Sequence, residues 1–439
     1  MNFPLRCITT PHFRFNLSSD DAVSSDKFRG LQKYGPYQLP TVQRPLIGFV
    51  FPKQLRDLAN RLYLAIRNGV GPYRGFATMF RLPLEKEQVF QVSDFEISDS
   101  HSHADRARRY HDAVSNWLST GQARPDIFIV LLPRSPSWED DSPYYHCKSL
   151  LLTHQILSQV VTTELIEHPT QFDWSVANIA LATFVKLGGI PWIVDRRTAH
   201  REVVLGVGRT SLLDPQTRTS KRYVAFTVGL RGSGPFEFTA IAKPATTEQE
   251  YLTGLKEVIE GALARIKDHT DSVDSITLHV SKEFGWKEAA VIDAAVETNQ
   301  SSAVINVLKV TDENDFFAID TSKKEGVPSR GTCIQLSEDD YLLYTEGSEE
   351  KLAWRNRLPT GLRVKTYGER QRIGVFQELL SQVYDLSQVN YRGFNALSRP
   401  ASLAYSVQVA KLLAHVHVDD LGKQWLDSSN NLQPRMWFL

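Results

Sequence analysis

From Arg44 onward, short apolar runs alternate with segments whose apolar positions recur every three or four residues. Residues 45–51 (PLIGFVF) read as a buried strand, and 52–68 (PKQLRDLANRLYLAIRN) as an amphipathic helix that Pro52 can open. Residues 87–95 predict a strand, 103–120 a helix, 125–133 (PDIFIVLLP) a buried strand and 143–161 a single helix. A helix over 173–189, stopped by glycine, and a strand over 191–195 complete the series. Strand–helix alternation of this kind predicts a doubly wound domain of Rossmann type, with a ligand site where strand ends meet helix N-termini.

After Asp195 the strands lengthen and join as hairpins: 201–209, 221–232 and 235–245, with Gly232-Ser233-Gly234-Pro235 as turn chemistry. A helix over 247–269, a strand over 275–281, a helix over 285–299 and a strand over 302–310 follow. Strand-like pieces continue to about Glu369, and two late helices are expected near 375–384 and 403–414. Three antiparallel strands, then alternating helix and strand, is the order of a ribonuclease H-like domain. The expected fold class is α/β: a Rossmann-like half followed by a ribonuclease H-like half.

Composition narrows the function classes. The 439 residues carry 50 Lys+Arg and 50 Asp+Glu, so no global basic excess marks a polyanion partner, and a nucleic-acid site has to be local. Three distant cysteines, Cys7, Cys147 and Cys333, exclude a disulfide scaffold and a thiolate zinc cage and fit a reducing compartment. The N-terminus lacks a basic region followed by an apolar core, and no apolar run approaches the ~20 residues of a membrane span. The expected location is the cytoplasm.

The densest candidate chemistry lies in 141–159, DSPYYHCKSLLLTHQILSQ, which bears two tyrosines and a lysine and no acid beyond Asp141. Asp141 or Ser142 can cap the helix and Pro143 suits its first position, so Tyr144 and Lys148, four apart, share one face near the amino end. Backbone N–H groups and the helix dipole favour an anion there. The same pattern also describes a surface lysine beside two packing tyrosines. Gln159 ends the same expected helix, and Lys186 ends the next one in FVKLGGIPW, just before a Gly-Gly stop.

Tyr-x-x-x-Lys, then Gln, then Lys before Gly-Gly-x-Pro-Trp resembles the pocket of the MID domain of Argonaute and Piwi proteins. GLQKYGPYQLP (30–40), NYRGFNALSRPASLAYSVQVAKLLA (390–414) and the terminal MWFL resemble short prokaryotic Argonautes, above all the archaeal Piwi-like type. The resemblance covers nearly the whole chain and leaves no length for the N-terminal and PAZ domains of long Argonautes. It implies an N-terminal segment over 1–44 packed on the PIWI domain, a MID domain over 45–190 and a PIWI domain over 191–439. It also implies that Tyr144, Lys148, Gln159 and Lys186 hold the 5′ phosphate of a guide strand. Arg392 would contact the guide backbone. The carboxylate of Leu439, anchored by Trp437 and Phe438, would share a divalent cation (Mg²⁺ or Mn²⁺) with that phosphate. Ala182 stands where archaeal relatives can supply a glutamine to the metal.

Slicing members of that family cut by a two-metal mechanism that needs carboxylates. Alignment to their pattern places Gly208, Ser281 and Val407 at the three positions, so the chain is expected not to cleave and not to be an enzyme. Asp195, Glu202, Glu283 and Asp419 are the nearest acids for a carboxylate set that this alignment misses. An α/β protein binding a small nucleotide is the other alternative. The implied partners are a guide RNA (or DNA), a complementary target DNA and an APAZ-containing effector subunit with a TIR, SIR2 or nuclease domain, in prokaryotic defence; homodimerisation is the other implied assembly.

Lesser signals carry less weight. GVGRTS (206–211) lacks the third glycine and following helix of a dinucleotide fingerprint. The pairs His101/His103 and His415/His417 are more ordinarily exposed faces than metal ligands. Basic runs at 195–201, 218–222, 354–365, 369–372 and 390–394 all lie in the second half, where a guide–target duplex would need backbone contacts.

Overall fold

A computed structural model describes residues 4–98, 100–121, 124–133, 142–196, 201–213, 221–269, 273–281, 285–298, 303–347, 359–366, 376–415, 432 and 434–439. The chain divides into two units, one of residues 14–192, 391–394 and 411–439, the other of residues 1–13, 193–390 and 395–410. Residues 14–44, expected with the second half, therefore group with the first, as do 391–394 and 411–439.

The first unit is built on strands β1 (Ile47–Val50), β2 (Val89–Val92), β3 (Ile127–Leu132) and β4 (Leu157–Thr162), all parallel, in the order β2-β1-β3-β4. Helices α1 (Arg56–Asn68), α2 (His103–Ser119), α3 (Pro143–Thr153) and α4 (Pro169–Lys186) accompany them. Every residue of β3 is buried, as expected of a central parallel strand covered on both faces. Ser102 caps α2 by accepting from the Asp105 N–H, and Pro143 and Pro169 open α3 and α4, where a missing N–H costs nothing. Val50, Tyr110, Val130, Cys147, Leu151 and Ile156 form one core cluster. Each such large apolar side chain contributes about 1.5–3 kcal/mol by leaving water.

Two expectations fail here. Residues 143–161 are not one helix: α3 ends at Thr153, Gln155 takes a left-handed φ of 54°, and the chain enters β4. Apolar residues at 152, 156 and 160, and at 157 and 161, recur every four residues across the end of α3 and into β4, so the segment mimics one continuous helix. Gln159 accordingly lies on a strand and not at a helix end. The expected strand over 191–195 is only Ile193–Val194 and does not join the parallel sheet, whose fourth member is β4.

The second unit contains β5 (Glu202–Leu213), β6 (Lys221–Arg231) and β7 (Phe236–Ile241), an antiparallel meander. It continues through α5 (Glu248–His269), β8 (Ser275–Val280), α6 (Trp286–Thr298) and β9 (Val304–Thr311). β8 pairs in parallel with β5 and β9, giving the order β7-β6-β5-β8-β9, the ribonuclease H-like arrangement expected from the sequence. Strands β10 (Thr332–Ser337), β11 (Asp340–Leu343) and β12 (Leu362–Thr366) extend the sheet antiparallel beyond β9, with Leu5–Cys7 on the outer edge. Helices α7 (Phe376–Gln388) and α8 (Ala401–His415) are the two late helices, slightly longer than the sequence indicated.

Alternation along β5 sends Val203, Leu205 and Val207 into a core shared with Ile276, Leu278 and Val280 of β8 and Leu255 and Ile259 of α5. Val204, Gly206 and Gly208 face the other way, where α8 lies. A Cβ at Gly206 would stand 2.2 Å from the Ser402 carbonyl oxygen, so only glycine admits the helix this closely. The same face holds the fully buried His279, whose Nδ1 is 2.7 Å from Ser402 Oγ.

Candidate nucleic-acid interface

The first unit gathers the cations that the sequence singled out. Tyr144 is the second residue of α3 and Lys148 lies one turn later on the same face. Gln159 is the third residue of β4, and Lys186 ends α4. Lys148 Nζ donates to Ser158 O at 3.2 Å, and Lys186 Nζ donates to the same oxygen at 2.8 Å. Lys186 also donates to Gln159 Oε1 at 2.7 Å. Lys148 reaches two further main-chain oxygens, Trp437 O at 3.1 Å and Leu439 O at 3.4 Å. The tail that supplies them is packed away, with Met436, Trp437, Phe438 and Leu439 all buried.

Both ammonium groups are out of water: Lys148 is 1% exposed and Lys186 0%. Among the described residues, neither has a side-chain carboxylate partner. Burial first, and the Arg392 charge second, hold Lys148 down at about 7. Burial, Lys148 and Arg392, in that order, keep Lys186 well below its ordinary value. The Tyr144 phenol is pushed up to about 12 by burial and by Tyr145, against the Arg392 charge. Its hydroxyl makes no hydrogen bond among the described residues. Two buried lysines, a phenolic donor and an amide thus converge, with the Arg392 charge acting on them, which is the chemistry of an anion site.

The charge of Arg392, expected along the guide backbone, acts on Tyr144, Lys148 and Lys186 together. The local sequence explains this placement. Tyr391 donates from its hydroxyl to Trp192 O at 2.7 Å, and the Tyr391 and Phe394 rings pack on the Trp192 indole at 5.7 and 5.6 Å. Phe394 also meets Phe28 edge-on at 5.0 Å. Two aromatic anchors therefore clamp the short segment that bears Arg392.

Sequence reasoning missed one contact at this site. Tyr145, the second tyrosine of the pair, stacks on His415 at 4.1 Å. Its only sequence trace is the Tyr-Tyr doublet, because His415 was weighed as half of a metal pair. His417 lies outside the described residues, and His101 Nδ1 accepts from Ser98 N at 2.9 Å. No group of three His, Cys, Asp or Glu side chains able to hold a metal occurs among the described residues.

The Leu439 carboxylate, expected to share a divalent cation, brings an oxygen to 3.4 Å from Lys148 Nζ. Ser158 O, Gln159 Oε1, Trp437 O and Leu439 O each already accept from an ammonium group, and Ala182 offers no donor atom. A hard cation needs several oxygens, carboxylates foremost, and Leu439 is the acidic group that the described residues bring to this pocket.

In the second unit, Ser281 directly follows Val280, which pairs with Val207, one residue before Gly208. Val407 sits on α8 beside Ser406, whose Oγ would be 2.7 Å from a Cβ at Gly206. Gly208 and Ser281 thus lie on adjacent strand paths, while Val407 is exposed on α8 next to the residue that meets Gly206. Gly208 pairs with Phe226 of β6, and a Cβ on Gly208 would meet the Phe226 ring at 2.4 Å. GVGRTS is part of β5 and not a phosphate loop.

Of the alternative acids, Glu202 begins β5, six residues and about 20 Å of strand from Gly208. There it accepts from Arg196 at 2.7 Å and from Gln382 at 2.8 Å. Asp195 lies just before Arg196, and Glu283 and Asp419 fall outside the described residues. The basic runs are described only in part: Arg363 is bound by Asp340, and 218–220, 354–358 and 369–372 lie outside the described residues.

Residues 127–418 match the Piwi domain model. The chain belongs to the Piwi family. It is 25% identical, over 94% of its length, to the protein argonaute of Cereibacter sphaeroides, of which it spans only 56%. It is 23% identical to the Piwi protein of Archaeoglobus fulgidus over 95% of its own length and 94% of that protein's. Among solved structures it resembles Clostridium butyricum Argonaute bound to a guide DNA and a 19-mer target DNA, with TM-score 0.69 and 16% identity over 95% of this chain and 53% of that one. It also resembles Drosophila Piwi, with TM-score 0.71 and 15% identity over 99% of this chain and 56% of that one. The chain therefore spans about half the length of several of these relatives. The ribonuclease H-like order in the second unit is that of this Piwi family. No described helix is long and apolar enough to cross a membrane.

Proposed function

We propose that this Piwi-family chain holds a guide strand by its 5′ phosphate in the lysine pocket and uses the guide's bases to find a complementary target, without cutting it. One observation carries the reading: Lys148 and Lys186, from separate helices and both shut off from water, converge on a single carbonyl with no acidic side chain between them. A terminal phosphate carries about 1.5–2 negative charges at neutral pH and accepts from several donors at once. Tyr144, Lys148, Gln159, Lys186 and Arg392 supply those donors. Specificity then comes from base pairing, and the protein contacts the backbone.

Competition between 5′-phosphorylated and 5′-hydroxyl strands of one sequence tests the pocket. Two charge-assisted hydrogen bonds that only the phosphate can accept correspond to a preference of about 2–4 kcal/mol, about 30- to 1,000-fold. Equal binding of the two strands would refute the pocket.

Absence of cleavage is supported by Gly208, Ser281 and Val407 at the positions where carboxylates would hold two metals, and by the Phe226 ring against Gly208. Recognition without cutting needs an output. We therefore infer an effector partner, an APAZ-containing subunit with a TIR, SIR2 or nuclease domain, acting in cytoplasmic defence, with RNA as guide and DNA as target. Sequencing the nucleic acids and identifying the protein that copurify with the chain tests this. A stable homodimer carrying DNA guides would overturn it.

A further inference from the structure

We infer that Phe28, Tyr391 and Phe394 are positioning residues of the phosphate site: with Trp192 they seat the segment that carries Arg392, so that the N-terminal part of the chain takes part in recognising a strand's end. The inference rests on the proposed phosphate site and concerns how one of its donors is aimed.

Arg392 is exposed, while its neighbours Tyr391 and Gly393 are buried. An exposed guanidinium meets a phosphate only where its backbone brings it, and a binding group has to be held to within about 0.5 Å of the productive position. Three sets of contacts hold that backbone. Tyr391 donates from its hydroxyl to Trp192 O at 2.7 Å, and its ring and that of Phe394 pack on the Trp192 indole. A Cβ at Gly393 would stand 3.2 Å from Asn178 Oδ1, so the segment lies close against α4 at a position about 12 Å along the helix from Lys186. Phe394 meets the half-buried Phe28 ring edge-on at 5.0 Å, a favoured aromatic geometry.

Phe28 belongs to the helix Lys27–Tyr34, which Asp26 caps by accepting from the Arg29 N–H at 3.0 Å. Other contacts fasten this helix to the same seat. Phe15 packs both on Tyr34 of the helix, at 6.2 Å, and on Trp192, at 6.5 Å. Further along, Gln38 and Ile190 exchange main-chain hydrogen bonds of 3.0 and 2.9 Å, and Tyr37 N donates to Pro191 O at 3.1 Å. Residues 14–38 are therefore bonded to 190–192, just after Lys186, and Phe28 reaches Phe394 from there. The fully buried Trp192 is where the N-terminal segment and the Arg392 segment converge.

The test is a double-mutant cycle on the full chain, read by fluorescence anisotropy with paired 5′-phosphorylated and 5′-hydroxyl strands of one sequence. The quantity compared is the ratio of the two affinities, which a general loss of stability leaves unchanged. Arg392→Gln should lower that ratio about 10-fold, the loss of one charge-assisted hydrogen bond. Phe28→Leu and Phe394→Leu should each lower it at least about threefold in the parent, and by less than about 1.5-fold in the Arg392→Gln background. Phe28→Tyr, which keeps the ring, should keep the ratio. Either leucine variant decides alone should the other fail to fold. Leucine variants with the parent's ratio overturn the inference, as do an equal loss in both backgrounds or an Arg392→Gln chain with the parent's ratio; each of these leaves the phosphate site standing. A parent that shows no preference sinks the phosphate site itself, and the inference with it.

Discussion

Replacing Lys148 by methionine separates binding from stability. Methionine keeps most of the length of the side chain and removes its charge. Burial and Arg392 bring Lys148 from 10.5 down to about 7, which at about 1.4 kcal/mol per pH unit is about 5 kcal/mol of penalty on the charged form in the folded protein. Removing the ammonium relieves most of that at neutral pH. Against this stand three hydrogen bonds, to Ser158 O, Trp437 O and Leu439 O, at about 1–1.5 kcal/mol each. The two effects nearly cancel, so Lys148→Met is expected to unfold in urea within about 2 kcal/mol of the parent. Affinity for a 5′-phosphorylated strand should fall by about 1.5–3 kcal/mol, roughly 10- to 150-fold, with 5′-hydroxyl strands little affected.

The pH dependence gives an independent reading. Between about 7 and 10.5 the unfolded chain binds more protons at this lysine than the folded one, so the parent's stability gains from Lys148 as pH rises through that window. The methionine variant loses this component. Undiminished phosphate affinity in the variant, or a pH slope unchanged by the substitution, would refute the reasoning.

The remaining predictions concern the second unit. Asp385, buried and pushed up to about 7 by burial and by Glu202 against the Arg196 charge, lies 3.1 Å from Arg196. Its folded state binds more protons than the unfolded one between about 4 and 7, so its contribution falls as pH rises through that range. Asp385→Asn should flatten the decline in urea midpoints measured across it. Gly206→Ala drives a methyl against the Ser402 carbonyl and should cost about 1–3 kcal/mol in urea unfolding, with α8 the element displaced. Aspartates placed together at Gly208, Ser281 and Val407 should yield no target products with Mn²⁺ in a guided cleavage assay while Phe226 is retained, because its ring occupies the space of a side chain at 208.

The ribonuclease H-like half was legible because its strands announce themselves. Antiparallel hairpins with Gly-Ser-Gly-Pro turn chemistry are local signals, and the helix–strand alternation after them has one common packing solution. The parallel sheet of the first unit was less so. β4 reads as a continuation of α3 because apolar residues at 152, 156 and 160 fall every fourth position across the junction. Gln159 nevertheless meets Lys186, since one strand position and one helix position can both deliver an amide to it. Arg392 had to come from 390–394, some two hundred residues along the chain. No local pattern says that aromatic anchors on Trp192 will hold that segment beside Lys148. The same limit hid Tyr145 against His415 and Phe226 against Gly208, contacts that exist only once register is fixed.

What was legible and what was not differ in kind. Local pattern gives elements, and elements give topology, but the pocket is defined by a violation: lysines placed where folding alone would put leucine or methionine. Such a placement lowers the stability of the empty protein and is relieved by an anion that neutralises it. A Lys148→Met, Lys186→Met chain that unfolds like the parent yet no longer distinguishes a phosphorylated end would show that these charges serve the ligand and not the fold. A chain that collapses without them would assign Lys148 to fastening the buried Trp437–Leu439 tail, and the two hydrogen bonds it gives that tail would become its main role.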